Sequence, residues 1–418
     1  MELNNKYDLS YFNALTVQEK IKPQLLYNNL KLSTALQPIY SLAHKRVVGY
    51  EALLRVKDKK NNSISPQTLF EGNKKTEDII HLDRFSRYIH VQNFLKIKDN
   101  INWLFLNVSP QTIVEGKFYG NFFKELLNKY NFPAHRVVIE VVEHPIEHNE
   151  KLVKIVEFYK KLGCLIAIDD FGAGHSNFDR IWTLKPDIVK LDRSFLVKAS
   201  KDDSIRKMLP GVVSLLHQSG TLTLVEGVET KDQAIIAIES NVDFVQGYYF
   251  GRPSEELTPE FELYNEFDEL FNTYKEKEIL EQQKQKSLLR SYSSLFYEVT
   301  EQLKKEKPLA KAASALLKKD MVTKVYLLDS SGVQTGDNAL PKNCEFQKDK
   351  KFIPLDDAKS ADWFRRHYLK RAVRNPDRLQ VTRPYLSITG TRKCITLSML
   401  FKNSEKKAYI LCCDINVD

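Results

Sequence analysis

Short apolar runs alternate with longer helical patterns from residue 35 to residue 255, and this alternation constrains the fold more than any other feature. The runs have the length of buried strands, and Gly163 and Gly220 follow two of the intervening segments, as expected at helix C-termini. Buried strands between helices predict a parallel sheet covered by helices, and about 220 residues suit an α/β TIM-like (β/α)8 barrel. The runs are 103–107, 137–143, 165–170, 187–192, 222–227 and 243–247.

Acidic and amide side chains stand at the ends of these apolar runs. The C-terminal ends of barrel strands surround one mouth, so such side chains are expected to converge although they are far apart in sequence. One carboxylate in this position has an ordinary explanation, because Asp and Glu often cap the next helix. A row of five acids and one amide is hard to explain by capping alone. The row consists of Glu51, Asn107, Glu140, Asp169, Asp170 and Glu226.

As metal ligands, these side chains offer only oxygen atoms. Such a site favours Mg²⁺ or Mn²⁺ over zinc, and we expect Ca²⁺ to bind as a non-productive competitor. Asp169 and Asp170 are adjacent, so one can reach each of two ions about 4 Å apart, the arrangement that supports attack of water on a phosphodiester. Lys190, one strand later, can position that water or offset charge on the phosphate. The ordinary role of Lys190 is an ion pair with Asp169 or Asp170, and this role does not exclude the catalytic one.

Seven ordered segments resemble the EAL-domain family of cyclic-di-GMP phosphodiesterases. The motif that gives the family its name is Glu51-Ala52-Leu53 here, followed by Leu54-Arg55. The resemblance covers about residues 35–255 and continues through 106–110, 140–144, 166–178, 188–195, 224–230 and 246–253. It implies a TIM-like barrel that opens cyclic di-GMP to the linear dinucleotide pGpG.

The resemblance also implies a role for each residue of the site. The metal ligands would be Glu51, Asn107, Glu140, Asp169, Asp170 and Glu226. Lys190 would contact the catalytic water, and the substrate would be bound by Gln37, Leu54 and Arg55, with Gln246 completing the site. Glu143 would hold the loop after Asp170, and Glu229 would support the site from outside. The alternative is a receptor that binds cyclic di-GMP without cleaving it, but such relatives usually lack metal ligands and this sequence lacks none.

Four positions depart from the family pattern. Val56 stands where the family usually has Trp, Ala173 replaces Thr, His175 replaces Tyr and His144 replaces Ser. None is a predicted metal ligand, so the changes bear on rate and loop dynamics more than on chemistry. The chain has no GGDEF cyclase motif, so synthesis of the dinucleotide is not expected.

We predict three parts: an EAL barrel at 1–255, a linker helix at 256–310 and a small α+β domain at 311–418. The linker is rich in Lys, Glu, Gln and Leu, which predicts a long helix that dimerises the protein. A solvated helix packed on its own domain is the alternative. Its candidate apolar stripe consists of Leu280, Leu288, Leu289, Leu295 and Phe296.

The last hundred residues resemble a PAS/Cache-like sensory or interaction domain. We expect a strand, turn and strand at 322–336, a helix at 361–373, a hairpin around Thr389-Gly390 and a final strand at 407–415. Trp363, Arg383 and Tyr385 could line a pocket for an unknown small ligand, with core and turn roles as the alternative.

Charge and composition limit the partners. The net charge of +9 is spread along the chain, which favours a solvated surface over a groove for a nucleic acid polymer. No apolar run reaches the roughly 18 residues that span a bilayer, and the N-terminus has no signal-peptide pattern. The five cysteines show no CxxC spacing, as expected of reduced thiols. We therefore expect a cytoplasmic homodimer without membrane insertion.

Overall fold

We describe the protein from a computed structural model. The described residues are 9–18, 23–72, 75–97, 100–109, 119–142, 149–174, 178–256, 264–342, 358–387 and 393–417. They form two compact units, residues 1–277 and residues 278–418. The domain boundaries that we placed at residues 255 and 310 remain a prediction.

The first unit contains a closed barrel of eight strands, β3, β4 and β6 to β11. Its strands are β1 Thr16–Gln18, β2 Pro23–Tyr27, β3 Leu30–Ser41, β4 Arg46–Lys57, β5 Ser63–Ile64, β6 Trp103–Val108, β7 Val137–Val142, β8 Leu165–Phe171, β9 Ile188–Leu191, β10 Leu222–Val225 and β11 Phe244–Val245. Its helices are α1 Leu9–Ala14, α2 Pro66–Gly72, α3 Thr76–Leu95, α4 Tyr119–Lys129, α5 Asn149–Leu162, α6 Phe178–Leu184, α7 Ser194–Ala199, α8 Asp203–Gln218 and α9 Lys231–Glu239. The predicted TIM-like barrel is thus confirmed.

One barrel strand runs against the others. Strand β3 pairs antiparallel with both β4 and β11, whereas the other barrel strands pair in parallel. Only residues 42–45 join β3 to β4, and a connection this short cannot carry the crossover that a parallel pair needs. The six apolar runs from which a parallel sheet was predicted do pair in parallel, and β3, which was not among them, is the antiparallel strand.

Two apolar layers hold the barrel together. A small cluster fills its interior and is contributed by one residue from each of seven strands. A much larger core packs the outer faces of the strands against the helices. Side chains alternate along a strand, so these seven strands contribute to both layers. The interior cluster consists of Ile39, Phe105, Val138, Ala167, Ile188, Leu224 and Phe244.

The second unit is built on an antiparallel sheet with the strand order β12-β16-β15-β13, and β14 pairs with β15. Its elements after the long helix α10 Tyr264–Lys304 are α11 Leu309–Ala312, β12 Val322–Asp329, α12 His367–Arg374, β13 Gln380–Val381, β14 Tyr385–Leu386, β15 Lys393–Lys402 and β16 Ala408–Asn416. The predicted long helix is present as α10. Phe296 is buried in this unit's core and Leu289 and Leu295 pack against it, whereas Leu280 is 52% exposed. The side chain of Leu288 lies outside the described residues.

Two elements of this unit differ from the prediction. Val333 and Gln334 form only isolated bridges instead of a second strand, because the Asp329 carboxylate accepts the backbone N–H groups of the turn, including that of Val333 at 3.0 Å. The helix begins at His367 rather than 361, since Asp362 accepts the backbone N–H of Phe364 at 2.8 Å. Such local side-chain bonds compete with helix and strand. The turn predicted at Thr389-Gly390 lies outside the described residues.

Within the described part of the chain, no helix combines the length and the apolar character that crossing a lipid bilayer requires.

A buried histidine is expected to make stability depend on pH. His90 lies against β3, where its Nδ1 is 2.8 Å from Thr34 Oγ1, and burial with a smaller effect of Arg55 lowers its pKa to about 3. The folded chain binds fewer protons than the unfolded chain below pH ~6.5, so stability falls as pH drops from ~6.5 towards 3, by up to about 1.4 kcal/mol per pH unit. In urea unfolding, His90→Asn should flatten this dependence, and His135→Asn, an exposed control, should not. An unchanged slope in His90→Asn would contradict the assignment.

Candidate functional site

Inside the barrel, the site residues form a layer next to the apolar cluster, on the side nearer the mouth. Residues two apart on a strand share a face, so a side chain two positions after an interior residue also points into the barrel, one step nearer the mouth. Strand β3 is antiparallel, and there the site residue comes two positions before its interior residue. The pairs are Ile39 and Gln37, Gly49 and Glu51, Phe105 and Asn107, Val138 and Glu140, Ala167 and Asp169, Ile188 and Lys190, Leu224 and Glu226, and Phe244 and Gln246.

Lys190 lies at the centre of this layer. Its side chain is only 1% exposed. Its Nζ lies 2.6 Å from Glu140 Oε1, 3.0 Å from Asp169 Oδ1 and 2.5 Å from Glu226 Oε1. Glu51 Oε1 is farther away, at 3.9 Å. One ammonium therefore bridges strands β7, β8 and β10 across the barrel.

Lys190 remains protonated in this environment. Burial opposes its charge, but the carboxylates of Asp169, Glu140, Glu226 and Glu51 outweigh burial and raise the pKa of Lys190 well above its usual value. Burial also raises the pKa of Glu140, against the effect of Lys190. Lys190 is thus a hydrogen-bond donor and a positive charge among these carboxylates.

Glu51 is oriented by two amides. Its Oε1 accepts a hydrogen bond from Asn107 Nδ2 at 3.1 Å, and its Oε2 accepts one from Gln246 Nε2 at 2.6 Å. Gln246 Nε2 also donates to Gln37 Oε1 at 3.1 Å, and Gln37 Nε2 donates to the Gly251 carbonyl at 3.1 Å. Gln246 and Gln37 therefore link β11 and β3 to the carboxylate on β4, a role that the sequence did not indicate for Gln37.

A local irregularity brings two adjacent acids to the same site. The register between β8 and β9 shifts between Ile168 and Phe171, and Asp170 has a φ of 58°. Regular alternation would send Asp170 to the face opposite Asp169, whereas a bulge re-aims one of the two side chains. As a result, one carboxylate oxygen each from Asp169, Asp170 and Glu226 lies within 4.8 Å of the others.

Gly247 holds the ends of β10 and β11 together. A Cβ at this position would lie 2.2 Å from both the backbone N and the backbone O of Val228. The Val228 N–H donates to the Gln246 carbonyl at 3.1 Å, which explains why the two segments approach so closely. Glycine at 247 therefore allows Gln246 and Glu226 to sit side by side at the barrel mouth.

The remaining predicted residues lie outside this cluster. Arg55 is half-buried on the same strand as Glu51, and its Nη1 donates to the Leu54 carbonyl at 3.1 Å. The Leu54 side chain is buried in the larger core. Glu229 is exposed and lies 3.7 Å from Arg193 Nη1, so it does not join the carboxylates around Lys190. Glu143, with the departures His144 and His175, falls outside the described residues.

A buried ion pair that the sequence analysis missed supports Asn107. Arg87 Nη2 donates to Asp83 Oδ2 at 2.5 Å and its Nη1 donates to the Tyr159 hydroxyl at 2.8 Å, with Arg87 and Asp83 only 1% and 3% exposed. Asp83 Oδ1 accepts the backbone N–H of Ser109 at 2.9 Å, two residues after Asn107. The spacing of Asp83 and Arg87, one helical turn apart, was the available signal.

Breaking this pair should be costly. Arg87→Met leaves the Asp83 carboxylate buried without its cation, so we expect a loss of about 3–5 kcal/mol in the free energy of unfolding. The double variant Asp83→Leu/Arg87→Met removes both charges and should recover much of that loss. Urea denaturation of the parent chain and of both variants measures the difference. An Arg87→Met variant as stable as the parent chain would contradict the assignment.

Comparison with known proteins agrees with the fold. The EAL domain model matches residues 19–253, more than half of the chain, so this protein belongs to the EAL domain family, which includes cyclic-di-GMP phosphodiesterases. The uncharacterized EAL-domain-containing protein YkuI of Bacillus subtilis (strain 168) is 27% identical over 354 residues, which are 81% of this chain and 83% of YkuI.

Another relative covers a smaller share of the chain. The cyclic di-GMP phosphodiesterase PdeF of Escherichia coli (strain K12) is 25% identical over 247 residues, 58% of this chain and 32% of PdeF. This chain thus spans about a third of PdeF. The crystal structure of B. subtilis YkuI, in complex with cyclic di-GMP and calcium, superposes with a TM-score of 0.77 at 23% identity and covers 93% of this chain and 96% of that one. At this identity the match supports the fold alone.

Proposed function

We propose that this chain hydrolyses cyclic di-GMP to linear pGpG with the help of two divalent ions, Mg²⁺ or Mn²⁺, and that Ca²⁺ inhibits it. Water would form a bond to one phosphorus while the bond from that phosphorus to its 3′ oxygen breaks. The proton lost by the water ends on the released 3′ oxygen, so the ring opens to one linear dinucleotide. The observation that carries the proposal is the cluster of carboxylates around Lys190 at the barrel mouth.

The donor set fits hard divalent cations. Acidic groups outnumber the one ammonium in this cluster, which contains the carboxyl groups of Glu51, Glu140, Asp169, Asp170 and Glu226. The Oε2 atom of Glu140 is buried and has no hydrogen-bond partner among the described residues. Oxygen-only sites with this charge take Mg²⁺ or Mn²⁺ in preference to zinc. We assign these five residues and Asn107 as the ligands.

The chain's own groups orient the reactants. Divalent ions bound here would supply Lewis acidity, which makes water more acidic and offsets charge on the phosphate. Lys190, as a protonated donor, would hold the attacking water and stabilise negative charge that develops near it. Asn107 and Gln246 hold the Glu51 carboxylate in place from two sides.

Substrate contacts are assigned to residues around the mouth. Arg55 lies on the inward face of β4, four residues beyond Glu51, and a guanidinium there could bind a phosphate through two parallel hydrogen bonds. We assign Gln37, Leu54 and Gln246 to the substrate site as well. Glu143 would hold the loop after Asp170, and Glu229 would steady the neighbouring segment through Arg193.

The test is turnover by the full chain. Cyclic di-GMP should be opened with Mn²⁺ or Mg²⁺, Ca²⁺ should inhibit, and excess chelator should abolish the reaction, while cyclic di-AMP serves as the control substrate. Folded protein that binds cyclic di-GMP with Mn²⁺ but returns it intact would support the alternative, a receptor without catalysis. Equal cleavage of both dinucleotides would contradict the substrate assignment.

We also infer that the C-terminal part regulates the barrel as a sensor-like domain and that the protein is a cytoplasmic homodimer.

Helix α10 supports dimerisation, because Ile279 and Leu280 are adjacent on it and their side chains are 55% and 52% exposed. Light scattering should give a dimer for the parent chain and a smaller mass for the double variant Ile279→Glu/Leu280→Glu. A monomeric parent chain would rule this out.

A further inference from the structure

Positive charge is concentrated in one stretch of the second unit. Residues 365–383 contain seven Lys and Arg residues and a single acid, Asp377, so the net charge is spread less evenly along the chain than the sequence analysis assumed. Helix α12 lies in this stretch, with no acidic residue in its first turn and two arginines in its last. A local excess of this kind attracts partners of negative charge.

One face of α12 is fixed on the sheet of the second unit. Its buried side chains pack in a cluster with residues of β12 and β16, and Ser398 Oγ on β15 donates to the Tyr368 carbonyl at 3.0 Å. These contacts determine which face of the helix points to solvent. The buried residues of α12 are Tyr368, Leu369 and Ala372.

The opposite face of α12 consists of basic side chains. Four residues with the i, i+3, i+4, i+7 spacing of one helical face are all exposed: His367, Lys370, Arg371 and Arg374. Arg371 Nη1 donates to the Val381 carbonyl at 3.0 Å, and a neutral carbonyl leaves the charge of this guanidinium uncompensated. Among the described residues, no carboxylate forms an ion pair with Lys370, Arg371 or Arg374. The charge of this basic face is therefore free to attract a partner.

The cleft beside α12 does not offer room for a small ligand. Trp363 and Tyr385 line it, as predicted, together with Arg366, whereas Arg383 does not. The free space within the cleft holds about one water molecule. An anionic partner of this region therefore binds on the outer surface of the unit.

Exposed apolar side chains near the basic face distinguish between anionic partners. Phe364, three residues before the helix, is 57% exposed, and Val373, next to Arg374, is 45% exposed. A nucleic acid polymer offers phosphate charge but little surface that would bury an aliphatic side chain. The interface of an anionic bilayer offers both charged headgroups and an apolar layer. The combination of side chains favours a lipid surface.

We propose that the basic face of α12, residues 367, 370, 371 and 374, docks the protein on the surface of a membrane that contains anionic lipids. Each Lys or Arg held close to such a surface strengthens binding about fivefold, and Phe364 adds apolar contact in the headgroup region. The binding is peripheral, so no helix inserts across the bilayer. The proposal is independent of the activity assigned to the barrel.

Cosedimentation of the full chain with lipid vesicles tests the proposal. Vesicles of equal parts phosphatidylglycerol and phosphatidylcholine should bind the chain at least about tenfold more tightly than vesicles of phosphatidylcholine alone, and added salt should weaken this binding. Lys370→Gln/Arg374→Gln should weaken binding to the anionic vesicles by at least about tenfold. Phe364→Ser, which removes apolar surface but no charge, should weaken it by at least about threefold.

A matched control removes two positive charges on the other side of the sheet. Helices α10 and α11 pack on the sheet face that carries Leu411, whereas α12 packs on the face that carries Ile410. Lys305, directly after α10, and Lys311, on α11, are both exposed. Lys305→Gln/Lys311→Gln should therefore change vesicle binding by less than about twofold, because attraction to the surface falls off within a Debye length.

Circular dichroism checks that each variant is folded. If Lys370→Gln/Arg374→Gln is not folded, Lys370→Gln alone takes over the test, with an expected loss of about fivefold. The proposal is overturned if the folded α12 variant binds anionic vesicles like the parent chain, or if the control variant loses as much affinity. It is also overturned if both kinds of vesicle bind equally, or if duplex DNA binds more tightly than the anionic vesicles at the same salt concentration.

Discussion

Replacing Lys190 by methionine is expected to abolish turnover and to destabilise the fold. The ammonium of Lys190 lies within 3.0 Å of the carboxylates of Glu140, Asp169 and Glu226, and its removal leaves them together in a buried site. Breaking a buried ion pair by removing one partner costs about 3–5 kcal/mol. Urea denaturation without added metal should show a loss of this size for Lys190→Met and little change for Lys198→Met, an exposed control.

Added Mn²⁺ provides a second measure of the same effect. Without the ammonium, the carboxylates in Lys190→Met repel one another, and a bound divalent cation would offset their charge. Mn²⁺ should therefore raise the melting temperature of this variant more than that of the parent chain. Turnover should nevertheless stay at least about 100-fold below the parent rate, because the positioned donor is missing. A variant that keeps both its stability and its rate would contradict the central place of Lys190.

Replacing Glu51 by glutamine should remove activity while the fold survives. The substitution keeps the shape of the side chain, but its new NH₂ group must face the NH₂ of either Asn107 or Gln246, both of which now donate to Glu51. The site also loses one of its five carboxylates. We expect a loss of at least about 100-fold in kcat/KM with saturating Mn²⁺.

Stability separates this effect from simple unfolding. The free energy of unfolding of Glu51→Gln should change by less than about 2 kcal/mol, since the side chain keeps its volume. Glu157→Gln, an exposed residue on α5, is the matched control and should keep the full rate. If Glu51→Gln is folded and turns over cyclic di-GMP at the parent rate, Glu51 is not a ligand.

Much of the site could be predicted because it follows from strand periodicity. Phe105 and Asn107, or Ile188 and Lys190, are two residues apart, so the sequence itself indicates which polar side chain shares the inward face with an apolar one. The acids then converge because the carboxyl ends of barrel strands meet at one mouth. The predicted barrel needed no information beyond this alternation.

What sequence did not indicate depends on contacts between distant segments. The antiparallel direction of β3 brings Gln37 next to Glu51, and the bulge at Asp170 turns two adjacent acids towards one site. Both features depend on pairing with other strands and not on local propensity. The hydrogen bond from the Ser109 backbone N–H to Asp83 likewise joins a strand end to a helix residue 26 positions away. In the second unit, periodicity placed the start of a helix too early. The Asp362 side chain accepts the backbone N–H of Phe364, and the helix begins only at His367.

The most direct test of the account is hydrolysis of cyclic di-GMP by the full chain in ¹⁸O-labelled water with Mn²⁺. Mass spectrometry of the products should show linear pGpG that carries a single labelled oxygen on its terminal phosphate. The Glu51→Gln and Lys190→Met variants should leave the cyclic dinucleotide intact under the same conditions. Recovery of unlabelled, cyclic dinucleotide from the folded parent chain would contradict the claim that this barrel is a phosphodiesterase.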